Sequence, residues 1–318
     1  MEITHNFLVL PSKTLDVEAL LRQAGKTRAE IEQTIATTGI TKLCHAGDRR
    51  FTGFVIAGLQ AIADEDPSVL RDVDAVIVVS QTYDQRIPCV STRIQKLFNL
   101  NQDTFCLDIM DGCSGYIKAL SIASMLNNSS FKKVLIIAGD INSVMTADAE
   151  VGTKVLFGDG LSITILEAGA KELDTRTYND GDITNTISCD TRDNLMHMNG
   201  FEVFRFTRSV VPRLIGCYLK EANRDLGSYD LIALHQASHL VVSTICNTLK
   251  LRNTLNRNFA CGEIGNLGAG GIGAWLSQGR DLTSLGELKM LAVGFGSGLS
   301  WGIASLTVHL RQNRVIHV

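Results

Sequence analysis

Four short segments of this chain combine a reactive or polar side chain with glycines. Asp-Gly-Cys-Ser-Gly at 111–115 lies between an apolar strand-like run and an apolar helix-like run. Glycines on both sides of Cys113 permit a tight turn and close approach of a substrate. A thiol at a helix start meets unpaired N–H groups and the helix dipole, which favour the thiolate. Such a cysteine can accept an acyl group; a small residue at a packed helix start is the bland alternative. His-Gln-Ala-Ser at 235–238 directly follows the run LIAL. Ligand sites of α/β proteins gather at such strand ends, although a lone His there is often structural. GNLGAGG at 265–271 lacks the lysine of a phosphate loop. It suits a turn from which the Asn266 carboxamide donates a hydrogen bond into a pocket. GFGSG at 294–298 is either a plain β-turn or a turn whose backbone N–H groups face an oxyanion.

Strands and helices must hold these segments. Runs at 75–80, 104–109, 133–138, 162–166, 231–234, 289–293 and 303–309 are β-branched and bounded by Gly, Asp or Asn, which predicts strands. Apolar periodicity predicts helices over 17–23, 28–35, 51–63, 90–98, 116–126, 203–222 and 240–249. Their alternation predicts an α/β fold with helices covering mixed sheets. The halves echo each other: each passes from a strand through a Gly-rich turn into a helix, then closes with a strand pair. Residues 1–170, carrying Cys113, and 171–318, carrying His235 and Asn266, are expected as two fused, duplicated halves. The polar stretch AGAKELDTRTYNDGD at 168–182 is expected as a surface connection between them.

Composition removes several classes. The 318 residues are 45% hydrophobic and 20% charged, enough for a large core. Net charge is −3 with no basic run, which argues against nucleic acid. The N-terminus has no basic region followed by an apolar one, so no secretion signal is expected. No apolar run reaches the roughly 20 residues of a membrane helix. None of the eight cysteines forms a C-x-x-C pair, so neither structural zinc nor a disulfide framework is expected. Apart from Cys113, they are expected as small buried hydrophobes in a reduced, cytoplasmic protein.

The order Cys, His, Asn, G-F-G-x-G resembles the ketoacyl synthase III family of fatty-acid condensing enzymes. Gly39-Ile40 is similar to the family's early T-G-I, and DGCSG to its ACxSG. LFGDG at 156–160 matches a strand-turn signature, and MNGFEVFRF at 198–206 its MxGxEVFKF stretch. HQAS stands for HQAN, and GNLGAGG for GNTSAAS. The resemblance implies the five-layered α/β/α/β/α thiolase fold, usually in a homodimer. It implies that Cys113 carries an acyl group as a thioester and that malonyl-acyl carrier protein (malonyl-ACP) then loses carbon dioxide. His235 and Asn266 would stabilise the resulting enolate, and the N–H groups of Cys113 and Ser297 the other oxyanion. Phe295, Phe204, Met198 and Phe201 would bind substrate. Arg205, Lys250 and Arg252 would dock ACP. No metal or tightly bound cofactor is implied.

Departures bear on the substrate. The family's adenine clamp of Trp and Arg falls here at about Gln33 and Val151, and a further Arg position at Thr37. Loss of cation–aromatic stacking, worth about 1–2 kcal/mol, should weaken coenzyme A binding. Ile87 stands where the family's dimer-crossing Phe closes the acyl tunnel. These departures imply a specialised lipid or polyketide pathway with an acyl-ACP or acyl-enzyme donor. Two rivals keep the fold: an acyltransferase that delivers the Cys113-bound acyl group to an O, N or C acceptor without decarboxylation, and a non-catalytic subunit paired with a paralogue. An NAD(P) or phosphate binder is disfavoured, because no G-x-G-x-x-G follows the first strand. His197, His239 and Asp111 have no assigned part, and His239 is expected at the surface or an interface.

Overall fold

The computed structural model describes residues 1–127, 130–146, 150–169, 173–181, 185–190, 192–251, 255–278 and 281–318. Among them the strands are β1 (Glu2–Leu10), β2 (Thr14–Asp16), β3 (Lys42–Cys44), β4 (Ala75–Val79), β5 (Phe105–Ile109), β6 (Lys133–Ile141) and β7 (Asp159–Glu167). They continue with β8 (Asp174–Asn179), β9 (Ile187–Cys189), β10 (Met196–Met198), β11 (Leu231–Leu234), β12 (Leu288–Gly296) and β13 (Ser300–His317). The helices are α1 (Val17–Gln23), α2 (Arg28–Thr38), α3 (Phe51–Glu65), α4 (Val90–Leu97) and α5 (Gly115–Asn127). They continue with α6 (Val151–Lys154), α7 (Gly200–Glu221), α8 (His239–Thr248) and α9 (Gly271–Ser277).

In the first half the strand order is β5-β4-β6-β7-β1. β4 is parallel to β5 and β6, and β7 is antiparallel to β6 and β1. The second half runs β11-β12-β13-β8, with β11 parallel to β12 and β13 antiparallel to both β12 and β8. The pairings β4-β6-β7-β1 and β11-β12-β13-β8 therefore have the same order and sense. Past Thr307, β13 runs on beside β1 in parallel and joins the halves into one nine-stranded sheet.

Side-chain alternation along the strands builds the layers. Ile77, Val79, Ile136 and Ala138 face inward with Ala233, Met290, Ala292 and Leu306, against Ile117 and Leu120 of α5 and Ile272 and Trp275 of α9. Val76, Val78, Leu135 and Ile137 face out beneath Phe54 and Leu59 of α3 and Ile94 of α4. Ile232, Leu234, Leu291 and Val293 face out beneath Val211 and Ile215 of α7 and Val242 and Ile245 of α8. The result is α/β/α/β/α, with α5 and α9 in the middle layer. Strands buried on both faces read as unbroken apolar runs, as AVIVV of β4 does.

Six strands lie outside the expected set: the short β2, β3, β9 and β10, and the longer β1 and β8. β1 is unexpected because Thr4, His5 and Asn6 interrupt its apolar pattern, yet all three are buried. Asn6 is satisfied by α9: its Nδ2 donates to Gly273 O (2.9 Å) and Ser277 Oγ (2.7 Å), while Thr164 Oγ1 donates to its Oδ1 (3.0 Å). Within the polar stretch expected as a surface connection, residues 174–179 instead form β8. Its backbone bonds to β13, and polar side chains do not oppose strand pairing at a sheet edge. The cysteine expectation holds for Cys44, Cys246 and Cys261, which are buried, and fails for Cys89, Cys189 and Cys217, which are exposed.

Candidate active site

Cys113 sits in the turn between β5 and α5, two residues before the helix begins. Gly112 O accepts from Gly115 N–H (2.8 Å) and closes the turn. The GFGSG strand end supplies the opposite wall. A Cβ on Gly296 would lie 2.6 Å from Cys113 Cβ and 3.1 Å from its Sγ. A Cβ on Gly294 would lie 2.9 Å from Ile117 Cγ1. These glycines let the start of α5 lie directly on β12, a reason for their presence beyond the freeing of backbone N–H groups. The amides of Cys113 and Ser297 donate to no other described residue.

His235 follows the last residue of β11, and its N–H donates to Val293 O (2.8 Å). The neighbouring Gln236 is a strut: Nε2 donates to Leu234 O (2.7 Å) and Oε1 accepts from Ala260 N–H (2.8 Å). Ser238 Oγ caps α8 by accepting from Val241 N–H (3.3 Å). The His235 ring is buried, meets Phe295 edge to face at 5.3 Å, and has no partner at Nδ1. Gly271, the first residue of α9, lies against that nitrogen. Burial pushes the His235 imidazole down to about 3, so it is neutral across the physiological range.

Asn266 is fixed from two directions. Its Oδ1 accepts from Gly268 N–H (3.0 Å), turning the amide hydrogens away from that loop. Its backbone is clamped to LFGDG: Asn266 N–H donates to Leu156 O (3.0 Å), and Gly158 N–H to Asn266 O (3.1 Å). Asn142 Nδ2 donates to Gly158 O (2.7 Å) across the same junction. A Cβ on Gly158 would fall 1.9 Å from Ile264 O, so only glycine permits the approach. Gly265 holds the other side at φ +81°.

Cys113, His235, Asn266 and Phe295 line one cavity of about 290 Å³. Phe204 and Met198 line it too, as do Thr37 and Leu240. Ile87 and Phe201 do not; both are exposed, the latter because it projects from the first turn of α7. Gln33 is exposed on α2 and absent from the cavity wall, and Val151 packs into the apolar cluster around Val17 and Ile31. Arg205 is exposed and paired with Glu202, Lys250 is exposed, and Arg252 lies outside the described residues. His197 lies between Glu150 and Asp193 on the surface, and His239 packs edge-on against Phe259. Asp111 pairs with Lys118 beside the cysteine turn.

The electrostatics correct one expectation. A helix start was expected to favour the Cys113 thiolate, but burial, with Asp140 and Asp111 nearby, pushes the thiol up to about 12. Asp140 is itself buried, which pushes it up to about 6. Its Oδ1 accepts from Gln81 N–H (2.6 Å) and Ser80 Oγ (2.8 Å). Asn142, Asp140 and Gln81 lie in no recognisable motif, and LFGDG is visible in the sequence as a signature that does not disclose its clamping role.

Residues 107–181 match the family model described as 3-oxoacyl-[acyl-carrier-protein (ACP)] synthase III, and residues 219–308 match that of its C-terminal part. A β-ketoacyl-[acyl-carrier-protein] synthase III of Acholeplasma laidlawii is 29% identical over 261 residues, 79% of this chain and 81% of the relative. One of Coxiella burnetii is 27% identical over 312 residues, 93% of this chain and 96% of the relative. The crystal structure of 3-oxoacyl-(acyl-carrier protein) synthase from Burkholderia xenovorans superimposes with a TM-score of 0.90 at 25% identity, covering 100% of this chain and 97% of that one. With the thiolase-type layering and matches in both halves, this chain belongs to the 3-oxoacyl-[acyl-carrier-protein] synthase III family of condensing enzymes.

Proposed function

We propose that the chain carries an acyl group on Cys113 and condenses it with malonyl-ACP with loss of carbon dioxide. The observation that carries this reading is the meeting of thiol, imidazole and carboxamide on the wall of one narrow cavity. Cys113 Sγ attacks the carbon of an acyl thioester. The carrier's C–S bond breaks, and the thiol's proton ends on the departing sulfur. Malonyl-ACP enters next; its Cα–carboxylate bond breaks, carbon dioxide leaves, and the electron pair forms an enolate. His235 Nε2–H and Asn266 Nδ2–H donate to the enolate oxygen. Charge grows there only as the carboxylate departs, so fixed donors lower the barrier selectively. The carbanion then attacks the Cys113 thioester, whose oxyanion is held by the amides of Cys113 and Ser297, and the Cys113 sulfur leaves as a thiolate that takes a proton from water.

The donor proposed is an acyl-ACP or another acyl-enzyme in a specialised lipid or polyketide pathway. The clamp positions support this: Gln33 is exposed, Thr37 stands at the cavity wall, and Val151 is engaged in apolar packing. None offers a flat surface to adenine. Arg205 and Lys250 are proposed to meet ACP; Lys250 has no carboxylate partner among the described residues. The halves are proposed to divide between Glu167, the end of β7, and Asp174, the start of β8.

A homodimer is proposed along the free edge of β5. Ile87 and Met110 are 85% and 80% exposed there, and Phe105 and Leu97 are exposed alongside. Intact-mass measurement of Cys113 after exposure to acetyl-CoA or acyl-ACPs tests the donor reading. Acyl-ACP should load at least about tenfold faster, the equivalent of the lost stacking. Faster loading by acetyl-CoA would refute it.

A further inference from the structure

A second, larger cavity of about 540 Å³ lies on the other side of the Cys113 turn. It shares Ile187 with the catalytic cavity and is bounded on the Cys113 side by Gln81 and Ser297. Both side chains lie against Gly112, the residue before the nucleophile. A Cβ there would fall 2.5 Å from Gln81 Oε1 and 2.9 Å from Ser297 Oγ. Gln81 Nε2 reaches Ser297 Oγ only at 3.4 Å, which leaves the amide able to turn to a better acceptor. A carboxamide and a hydroxyl thus stand between the larger cavity and the residue before the nucleophile.

The larger cavity also carries polar groups further from the cysteine, and two of those that can donate are uncommitted. Among the described residues, Arg86 is exposed and has no carboxylate partner, and the Ser188 hydroxyl has no hydrogen bond. The acidic groups in the wall are already engaged. Asp108 accepts from Val90 N–H (2.7 Å) and Ser91 N–H (2.9 Å), and Asp190 pairs with Arg192. A plain alkyl chain placed here would strip water from Gln81 and Ser188 without replacing its hydrogen bonds. A chain carrying acceptor oxygens would satisfy them.

We infer that this cavity receives the far end of the acyl group held on Cys113, and that Gln81 selects acyl chains bearing an oxygen substituent, oxo, hydroxyl or carboxylate, over alkyl chains of the same length. The inference rests on Cys113 being the acyl carrier and adds to it the class of acyl group. Its test measures, by intact mass, the rate at which the full-length protein is acylated by short-chain model thioesters of matched length: butyryl, 3-hydroxybutyryl and succinyl. Wild type should load at least one oxygenated chain tenfold or more faster than butyryl. In Gln81→Leu that ratio should fall to near one or invert. Equal or faster loading of butyryl by the wild type would overturn the selection, as would an unchanged ratio in Gln81→Leu. If no thioester of any kind loads Cys113, the acyl-carrier reading falls, and this inference with it.

Discussion

At the scale of single residues, the central pair is uncharged at rest. The Cys113 thiol is pushed up to about 12 and the His235 imidazole down to about 3. Below pH 9 the thiolate fraction therefore grows about tenfold per pH unit. Alkylation of Cys113 by iodoacetamide should rise log-linearly from pH 6 to 9; a plateau near neutrality would reveal a thiolate–imidazolium pair instead. His235 stays neutral above its lowered value, so decarboxylation should show no acid limb from imidazole protonation between pH 5 and 8. His235→Ala should lower that rate by about a hundredfold or more while leaving a hydrogen-bond-poor cavity. Cys113, His235 and Asn266 were legible because each stands in a short Gly-rich or strand-end motif of restricted geometry. Gln81 and Asn142 were not, since a carboxamide beside a strand acquires meaning only when residues 16 or more positions away fold against it.

At the scale of elements, the site is a set of turns pressed together at glycines. Gly158, Gly265 and Gly296 each occupy a place where a methyl group would strike a neighbouring segment. Gly158→Ala must displace the Ile264–Asn266 strand of chain, since its Cβ would fall on a backbone oxygen. We expect it to lose about 2 kcal/mol or more in stability, and to lose condensation beyond what the stability loss explains. Chemical denaturation together with an activity assay at a temperature where the variant is folded separates the two effects. A variant with wild-type activity would show that the clamp between LFGDG and Asn266 is dispensable. Most helices and inner strands were legible in the sequence. The pattern of α1 predicted residues 17–23 and that of β11 residues 231–234, both as observed. β1 and β8 were not, for opposite reasons: the polar residues of β1 are buried and paired with α9, and β8 is a polar edge with little side-chain demand.

At the scale of the whole molecule, the two proposed halves are expected to depend on each other. β1 pairs with β13 from the far end of the chain, and α5 packs on strands of both halves. Residues 1–170 expressed alone should therefore fail to give a cooperatively folded protein, as circular dichroism and thermal melting would read. The exposed apolar strip beside β5 leads to a second expectation. Wild type should run as a dimer in light scattering, and Ile87→Glu combined with Met110→Glu should shift it to monomer. A monomeric wild type would contradict that interface. No helix among the described residues is long and apolar enough to cross a membrane.

The claim on which all scales depend is that His235 and Asn266 act together on the incoming carbanion, separately from acyl loading on Cys113. Release of labelled carbon dioxide from malonyl-ACP, by enzyme already acylated on Cys113, tests it most directly. The account predicts that His235→Ala and Asn266→Ala each accept the acyl group yet release carbon dioxide at least about a hundredfold more slowly than wild type. Acylated variants that release it at the wild-type rate would contradict the assignment.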